Sequence, residues 1–229
     1  MKKYTITIKL LSDALIHSGE GFGAIIDSDI VFDDIGIPYI PAKRIKGCLR
    51  DAAKEACEML ESAQADWKGA KIEDAFGKAG NMDSAPVYFS NLTINEYENN
   101  RQWFEYLREA YTREYTDTGK KYWTGILSRE SVLSTFTHIR QQTSIAEDGV
   151  ADKHTLRTIR VLKKGIIFHG EIHVVKHEST IKNLLALACL NLRHIGTKRN
   201  RGFGEVECKL YDGDTEVSIL HELEAICIN

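Results

Sequence analysis

The arrangement of apolar and polar residues predicts four β-strands and one further extended segment. Residues 4–10 (YTITIKL) alternate with a period of two, which is typical of a half-buried strand. The other segments predicted to be extended are residues 25–32 (IIDSDIVF), 86–89 (PVYF), 166–175 (IIFHGEIHVV) and 203–211 (FGEVECKLY). A glycine-rich loop, residues 19–23 (GEGFG), is expected between the first two of these five segments.

Two helices are predicted from apolar residues spaced three and four positions apart. The first spans residues 42–63 and follows the segment 38–41 (PYIP), because proline is favoured in the first helical turn. The second begins at Ser179 or Thr180, which can cap it, and ends near Arg193. Their predicted core stripes are Ile45, Leu49, Ala52, Ala56 and Met59 in the first helix, and Ile181, Leu184, Leu185, Ala188 and Leu192 in the second.

The order strand, helix, strand occurs in each half of the chain. This order predicts an α+β fold made of two related βαβ-type units of the ferredoxin-like kind, although no internal sequence repeat proves a duplication. Between residues 96 and 115, aromatic residues recur at near-helical spacing. Such a stripe can stack on nucleic-acid bases, but a packed amphipathic insertion is the favoured interpretation.

The composition excludes several classes of protein. A chain of 229 residues with 43% apolar and 28% charged residues can build a core and a soluble surface, so collagen-like and disordered classes are excluded. No apolar run approaches the roughly 20 residues of a membrane span, and the N-terminus lacks a signal-peptide pattern, so we expect a cytoplasmic chain with no membrane partner. The five cysteines are widely spaced and form no C-x-x-C pair, which favours reduced core residues over a disulfide framework or a zinc site.

The net charge of −3 argues against a polyanionic partner only as an average. From Asp51 to Gly119, fourteen acidic residues stand against seven basic ones, whereas residues 43–50, 157–164 and 193–201 each hold four Lys or Arg and no acidic residue. A single cluster of this kind is typical of a solvated surface. Three in one chain, two of them with glycines, favour a surface that binds an anion.

One face of the first predicted helix is basic. Lys43, Lys46, Gly47 and Arg50 lie opposite the core stripe, with Arg44 at the edge of this face. Cations in a first helical turn oppose the helix dipole, and a glycine within a helix costs up to about 1 kcal/mol. A bound phosphate would reverse this penalty, because it would meet free backbone N–H groups, several cations and a position without a side chain.

The segment 195–204 (IGTKRNRGFG) is the strongest local signal of ligand binding. It holds three glycines and three cations between a predicted helix and a predicted strand. A backbone of this kind can fold around phosphates and supply both N–H groups and charges. The predicted contacts in this loop are Gly196, Lys198, Arg199, Arg201 and Gly202.

Two further groups of residues could carry chemistry. Asp27 and Asp29 share a face of an extended chain, where they could position a metal ion or act as general acid or base; solvated carboxylates at a strand edge are the alternative. His169, His173 and His177 have a spacing that suits metal ligands on a helix, but β-branched neighbours favour a strand, whose polar face they would share. No metal site is predicted from them.

Four segments together resemble the RAMP superfamily of CRISPR-associated proteins, and in particular the type III effector subunits that hold guide RNA. They are residues 26–50 (IDSDIVFDDIGIPYIPAKRIKGCLR), 74–80 (DAFGKAG), 140–172 (RQQTSIAEDGVADKHTLRTIRVLKKGIIFHGEI) and 192–207 (LRHIGTKRNRGFGEVE). The most specific of their motifs are I-P-x-x-x-x-K-G-x-x-R at the helix start and the terminal glycine-rich loop.

The resemblance implies one RAMP domain over residues 1–229, with an RNA-recognition-motif-like core and an inserted helical or thumb region around residues 95–150. It implies CRISPR RNA, target RNA and other effector subunits as partners. Lys43, Arg44, Lys46, Arg50 and the loop cations would contact the RNA, and Arg140 would belong to a thumb segment, residues 140–145, that packs against it.

The resemblance also implies roles for Asp27 that remain alternatives. In catalytic subunits, the Asp before the helix motif cleaves target RNA, and Asp27 occupies that position, with Mg²⁺ as the expected metal and no tightly bound cofactor. The residues Ala42–Gly47 (AKRIKG) depart from the G-S-S-(L/I)-K-G of many backbone subunits and resemble the type III-D branch, which includes a non-cleaving subunit that caps the guide's 5′ end. A stand-alone nuclease that processes guide precursors, with His17 as acid or base, is the third interpretation.

Overall fold

A computed structural model describes residues 1–19, 26–67, 69–78, 86–118, 128–143, 149, 155–176 and 178–227, without the side chains of 108–118, 178 and 227. Its strands are β1 (Lys2–Leu10), β2 (Tyr39–Ile40), β3 (Val87–Phe89), β4 (Leu92–Ile94), β5 (Thr137–Gln142), β6 (Arg157–Leu162), β7 (Ile167–Val174), β8 (Val206–Asp212) and β9 (Thr215–Glu216). Its helices are α1 (Ala42–Ser62), α2 (Ile72–Phe76), α3 (Tyr97–Thr118), α4 (Arg129–Phe136), α5 (Glu178–Asn191) and α6 (Leu220–Cys227).

The central sheet has the ferredoxin-like strand order that the sequence predicts. β1 lies between β7 and β8, and β7 pairs on its other side with β3 and β4, all antiparallel. Along the chain, α1 connects β1 to β3 and β4, and α5 connects β7 to β8. The predicted α+β class and its two βαβ-type halves are therefore confirmed.

The helices α1 and α5 cover one face of this sheet, where the core lies. The alternating residues Tyr4, Ile6, Ile8 and Leu10 of β1 are fully buried in that core. The predicted stripes of α1 and α5 are buried beside them, with one exception. Met59 is 52% exposed and lines a cleft with Asp51 and Glu55, so its assignment to the core was wrong; Cys57 and Leu60 of the same turn pack against the core instead.

A second, smaller group of elements, α3, α4, β5 and β6, lies between β4 and β7 in the chain. The β5–β6 hairpin forms its own two-stranded sheet, and Ile35, Ile37 and Val132 form a separate small core. Tyr97 and Phe104 of α3 pack against that core. The predicted helix over residues 96–115 is thus confirmed, and part of its aromatic stripe is packed.

Several predictions concern residues outside the described ranges. They include residues 20–23 of the early glycine loop, His177, residues 144–145 of the thumb segment and the aromatic side chains of α3 beyond residue 107. The extended segment 26–32 is described and pairs through isolated bridges, His17 with Ile30 and Ser28 with Ile159, instead of forming a regular strand. No helix in the described ranges is both long and apolar enough to cross a membrane.

Candidate nucleic-acid interface

The basic face of α1 consists of side chains that form no ion pair with the residues that the structure describes. Lys43 and Arg50 are exposed, and Arg44 and Lys46 are half-buried. None of the four forms an ion pair with a residue in the described part of the chain. Since ionic side chains on a protein surface commonly sit beside opposite charges, four unpaired cations on one helical face leave a positive potential that suits an anion.

Most backbone N–H groups at the start of α1 are already hydrogen-bonded, which corrects in part the sequence-based expectation of free N–H groups there. The N–H of Ala42 donates to Asn91 Oδ1 at 2.9 Å. The N–H groups of Arg44 and Ile45 donate to the carbonyl of Pro41 at 2.9 and 3.1 Å. An anion on this helix would therefore be held mainly by side chains and not by the helix N-terminus.

Gly47 has no structural reason to be glycine. A Cβ built on Gly47 meets no atom within 4 Å, and Gly47 lies within a regular helix, where glycine is destabilising relative to alanine. Packing therefore does not exclude a side chain here. The absence of one leaves the backbone open to close approach by a ligand on the basic face.

The glycine-rich loop packs closely against the segment after β1, where the N–H groups of Thr197 and Gly204 donate to the carbonyls of Leu15 and Asp13. A Cβ on Gly196 would lie 2.4 Å from the Leu15 carbonyl oxygen, and one on Gly204 would lie 2.0 Å from that of Ile195. Both residues have positive φ, so these two glycines are required by the fold. Gly202 also has a positive φ of 76°, but a Cβ there would meet open space.

Lys198 occupies the left-handed region with φ 60° and ψ 30°, which is unusual for a residue with a side chain. Its ammonium group donates to Gln142 Oε1 of β5, so the loop and the β5–β6 hairpin are in contact. Partial burial lowers the pKa of Lys198, Arg201 and Arg157 lower it further, and Asp27 acts in the opposite direction. Strained backbone and crowded cations at one position are typical of a binding site.

A cleft of about 880 Å³ lies between the loop and the hairpin, and the contacting residues Lys198 and Gln142 both line it. It is lined by Gln142, Thr143, Thr155, Arg157, Gly196, Thr197, Lys198, Arg199, Asn200 and Arg201. Arg157 is not among the contacts predicted from the sequence. The basic stretch 157–164 contains it, but only its position on β6, opposite the loop, distinguishes it from its neighbours.

Arg199 connects the cleft to the face of α1. Burial raises the pKa of Cys48 on α1, whereas the charges of Arg199 and Arg44 oppose that shift, so both guanidinium groups lie near this thiol. Arg199 also lines a second cleft of about 420 Å³ beside α1. Arg44 of α1 and Arg199 of the loop thus lie near one thiol, and we call the cations of α1, the loop and the hairpin together the basic surface: Lys43, Arg44, Lys46, Arg50, Arg157, Lys198, Arg199 and Arg201.

Asp27 lies at the edge of the basic surface and is fixed by the hairpin. Its N–H donates to the Thr158 carbonyl at 2.8 Å, and its Oδ2 accepts from the Thr158 N–H at 2.7 Å. Its side chain is exposed, and its charge influences Lys198. This arrangement places one oriented carboxylate next to a cluster of cations.

Asp29 does not join Asp27, which corrects the prediction that the two carboxylates face one site or solvent. Asp29 is buried, its Oδ1 lies 3.3 Å from Arg160 Nε, and burial raises its pKa. Arg160 also contacts Glu130 at 3.0 Å. The two aspartates differ in environment because Arg160 of β6 forms a buried ion pair with Asp29, whereas the side chain of Asp27 is exposed. His17, the candidate acid or base, has its Nδ1 3.2 Å from the Asp29 carbonyl oxygen.

Arg140 is placed differently from the other predicted contacts. It forms an ion pair with Asp13 and a hydrogen bond to His138 Nε2, and its guanidinium lies 5.4 Å from the centre of the Phe203 ring. These contacts tie β5 to the segment after β1 and to the end of the loop. Among the described residues, Arg140 is thus the one predicted RNA contact whose charge is already paired with a carboxylate.

The described histidines of β7 lie on the open face of the sheet, as the strand interpretation predicts. His173 is hydrogen-bonded to Glu171 at 3.1 Å, and Glu171 is paired with Lys3 on β1. The hydrogen bond from Lys3 is the main cause of a lowered pKa of Glu171. Within the described ranges, no three His, Cys, Asp or Glu residues are arranged to hold a metal ion.

Comparison with known proteins relates this fold to one family. A model of the RAMP superfamily matches residues 7–207. A chain in the cryo-EM structure of the Type III-B Cmr-beta bound to cognate target RNA has a TM-score of 0.63 and 14% identity, with 92% of this chain and 97% of that chain covered. A chain in the apo-state structure of Type III-B Cmr-beta has a TM-score of 0.62 and 14% identity, with coverage of 91% and 97%. No curated protein matches the chain.

Proposed function

The chain belongs to the RAMP superfamily, and from this we propose that it is an RNA-binding subunit of a type III CRISPR effector, holding CRISPR RNA on the basic surface. The observation that carries the proposal is the set of cations on α1, the loop and the β5–β6 hairpin that have no ionic partner among the described residues. Cations in this number on a helix and a neighbouring loop can neutralise several phosphates of a single strand. The structurally similar Cmr-beta chain from a complex bound to target RNA supports the same role.

Phosphate recognition would divide between two kinds of contact. The α1 cations would neutralise phosphates while the open position at Gly47 lets the RNA backbone approach the helix. Across the loop, Lys198, Arg199 and Arg201 would hold further phosphates, with Arg157 on the opposite side of the cleft. In this arrangement Arg140 supports the interface by fixing the hairpin, because its charge is already paired with Asp13.

Co-purification of nucleic acid with the full chain and its co-expressed effector subunits tests this function. We expect RNA of a defined length with the wild-type protein and at least tenfold less with Lys43→Ala/Lys46→Ala/Arg50→Ala, since each substitution removes a phosphate contact. The matched control is Lys2→Ala/Lys3→Ala/Lys209→Ala, which removes three lysines that form ion pairs. Equal RNA recovery from both triple variants would contradict the proposal.

A second candidate function is cleavage of target RNA through Asp27. The observation in favour is the oriented, exposed carboxylate beside Lys198, at the position that the family motif assigns to catalysis. Among the described residues, Asp27 supplies one carboxylate at this position. Mg²⁺ is commonly held by one or two carboxylates together with substrate phosphates. Such an ion would stabilise charge on the scissile phosphate, while Asp27 would orient it and the neighbouring cations would position the RNA.

Cleavage of a complementary target RNA by the assembled complex, with and without Mg²⁺, separates the two functions. If Asp27 is catalytic, Asp27→Asn should abolish cleavage and leave guide binding within about twofold of wild type, because Asn retains the hydrogen bond to Thr158. Unchanged cleavage by the variant would refute the catalytic role. No cleavage by the wild-type complex, together with protection of the guide's 5′ end, would favour the capping subunit of the type III-D branch.

A further inference from the structure

The helix α3 exposes an aromatic face on the side that does not pack against the protein. Trp103 and Tyr106 are 63% and 62% exposed, and Leu107 is 37% exposed. Residues three and four positions apart lie on the same side of a helix, so these three form one patch, which we call the Trp103 face. The Trp103 and Tyr106 rings are arranged edge to face with centres 6.0 Å apart.

The fold does not require the Trp103 face. Tyr97 and Phe104 attach α3 to the small core through the other side of the helix. Large aromatic side chains gain about 1.5–3 kcal/mol each when they are buried, and Trp and Tyr dominate the energetics of protein interfaces. Two of them together on an exposed helix therefore mark a surface that is covered by a partner.

The cavity beside the Trp103 face is polar and holds one carboxylate, Glu96. This shallow cavity of about 630 Å³ is lined by Glu96, Asn99, Asn100, Gln102, Trp103 and Tyr106. Between residues 96 and 107 the sequence holds three glutamates and one cation, Arg101. The guanidinium of Arg101 is occupied by Asp33, Asp34 and Glu105 at 2.9–3.2 Å.

This charge pattern distinguishes a protein partner from RNA. Aromatic rings that stack on bases of single-stranded RNA normally lie in a positively charged groove that follows the phosphates. Here the described residues around the rings are one carboxylate, Glu96, and the amides Asn99, Asn100 and Gln102, with no cation among them to hold a phosphate. A protein surface with an apolar centre and Lys or Arg at its rim would complement both features.

We propose that the Trp103 face docks a different protein subunit of the effector complex, one that presents an apolar pocket rimmed by Lys or Arg. This inference rests on the proposed function, since it assumes assembly with other subunits. The Trp103 and Tyr106 rings would fill the pocket, Glu96 would meet a cation of its rim, and the amides of Asn99, Asn100 and Gln102 would hydrogen-bond with the rim. The basic surface would remain available for RNA.

The test compares Trp103→Ser/Tyr106→Ser with Leu190→Ser in the complex reconstituted from its separately identified subunits and guide RNA. Leu190 is a matched control, because it is 51% exposed on α5. In the double variant, native mass spectrometry should show at least a tenfold lower occupancy of one other subunit. In the control, the occupancy of every subunit should equal that in the wild type. In the wild type, hydroxyl-radical oxidation of Trp103 and Tyr106 should fall on assembly.

Each other outcome overturns the docking proposal in a distinct way. Full subunit occupancy with unchanged oxidation of both rings would show that no subunit covers the face. Loss of guide RNA with all protein subunits retained would assign the rings to base stacking. Self-association of the isolated chain that is abolished by the double substitution would assign the face to a second copy. Failure of the proposed function itself would appear earlier, as wild-type protein without RNA or subunits.

Discussion

The lysines at the sheet and the cations of α1 carry the same charge in opposite settings. At the sheet, Lys2 pairs with Asp212, Lys3 with Glu171 and Lys209 with Glu216. On α1, the cations Lys43, Arg44, Lys46 and Arg50 form no ion pair within the described ranges. Both sets are accessible to solvent, so exposure does not distinguish them.

Ion pairing, and not the number of basic residues, is the property by which these two surfaces differ. An exposed ion pair neutralises its own field and contributes little to stability. Unpaired cations on one face repel each other, and that repulsion is relieved when an anion binds. The net charge of −3 is therefore compatible with RNA binding, since it sums over two surfaces of different kinds.

The largest effect is expected at a third kind of cation, the buried and paired Arg160. Arg160→Met leaves the buried Asp29 carboxylate without its partner, and we expect a loss of about 3–5 kcal/mol in the free energy of unfolding, measured with urea. Arg157→Met on the same strand should change it by less than about 0.5 kcal/mol, because Arg157 is exposed. Adding Asp29→Asn to Arg160→Met should restore part of the loss. A cost below about 1 kcal/mol for Arg160→Met would show that the ion pair does not support the fold.

A smaller effect, of opposite sign for stability and for binding, is expected at Gly47. Gly47→Ala should raise the free energy of unfolding by about 0.5–1 kcal/mol, because the helix gains a better helix former in open space. The same change should weaken RNA binding by roughly fivefold, equivalent to about 1 kcal/mol, by holding the RNA backbone away from α1. Fluorescence anisotropy with single-stranded RNA measures this. Higher stability with unchanged affinity would mean that no ligand approaches Gly47.

The smallest effect is expected at the paired lysine Lys3. Its hydrogen bond lowers the pKa of Glu171, so the stability that it contributes is present above the ordinary pKa of glutamate and is lost as the pH falls through the lowered pKa. Lys3→Ala should therefore cost less than about 1 kcal/mol at pH 7 and nothing in strong acid, by urea unfolding. RNA affinity should stay within about twofold of wild type. A drop in affinity as large as that of an α1 cation would remove the distinction between the two surfaces.

The regular elements could be predicted from the sequence because their signals are local. The period-two pattern of β1 and the proline-led apolar stripe of α1 depend on neighbouring residues alone, and both elements are confirmed within one or two residues. The core position of Met59 was wrong because the side of α1 that meets the core at that turn, with Cys57 and Leu60, is a tertiary property. The charge of residues 157–164 indicated a basic cluster, but no pattern predicted the strand β6 that begins there.

The candidate site was less predictable because its details depend on contacts between distant residues. Asp27 meets Thr158, Asp29 meets Arg160, and Arg140 meets Asp13, each across more than 125 positions of the chain. The spacing of Asp27 and Asp29 in the sequence predicts the same environment for both. The residues of β6 contact them differently, because Thr158 meets Asp27 and Arg160 meets Asp29. The N–H of Ala42 is likewise occupied by Asn91, which no local pattern indicates.

The salt dependence of RNA affinity tests the central claim most directly. For single-stranded RNA, the slope of log affinity against log salt concentration is about −0.7 for each neutralised phosphate. We expect a steep slope for the wild-type protein, a slope shallower by about 2 for Lys43→Ala/Lys46→Ala/Arg50→Ala, and a wild-type slope for Lys2→Ala/Lys3→Ala/Lys209→Ala. Equal slopes for the two triple variants, or a flat wild-type series, would contradict the account of α1 as the phosphate-binding surface.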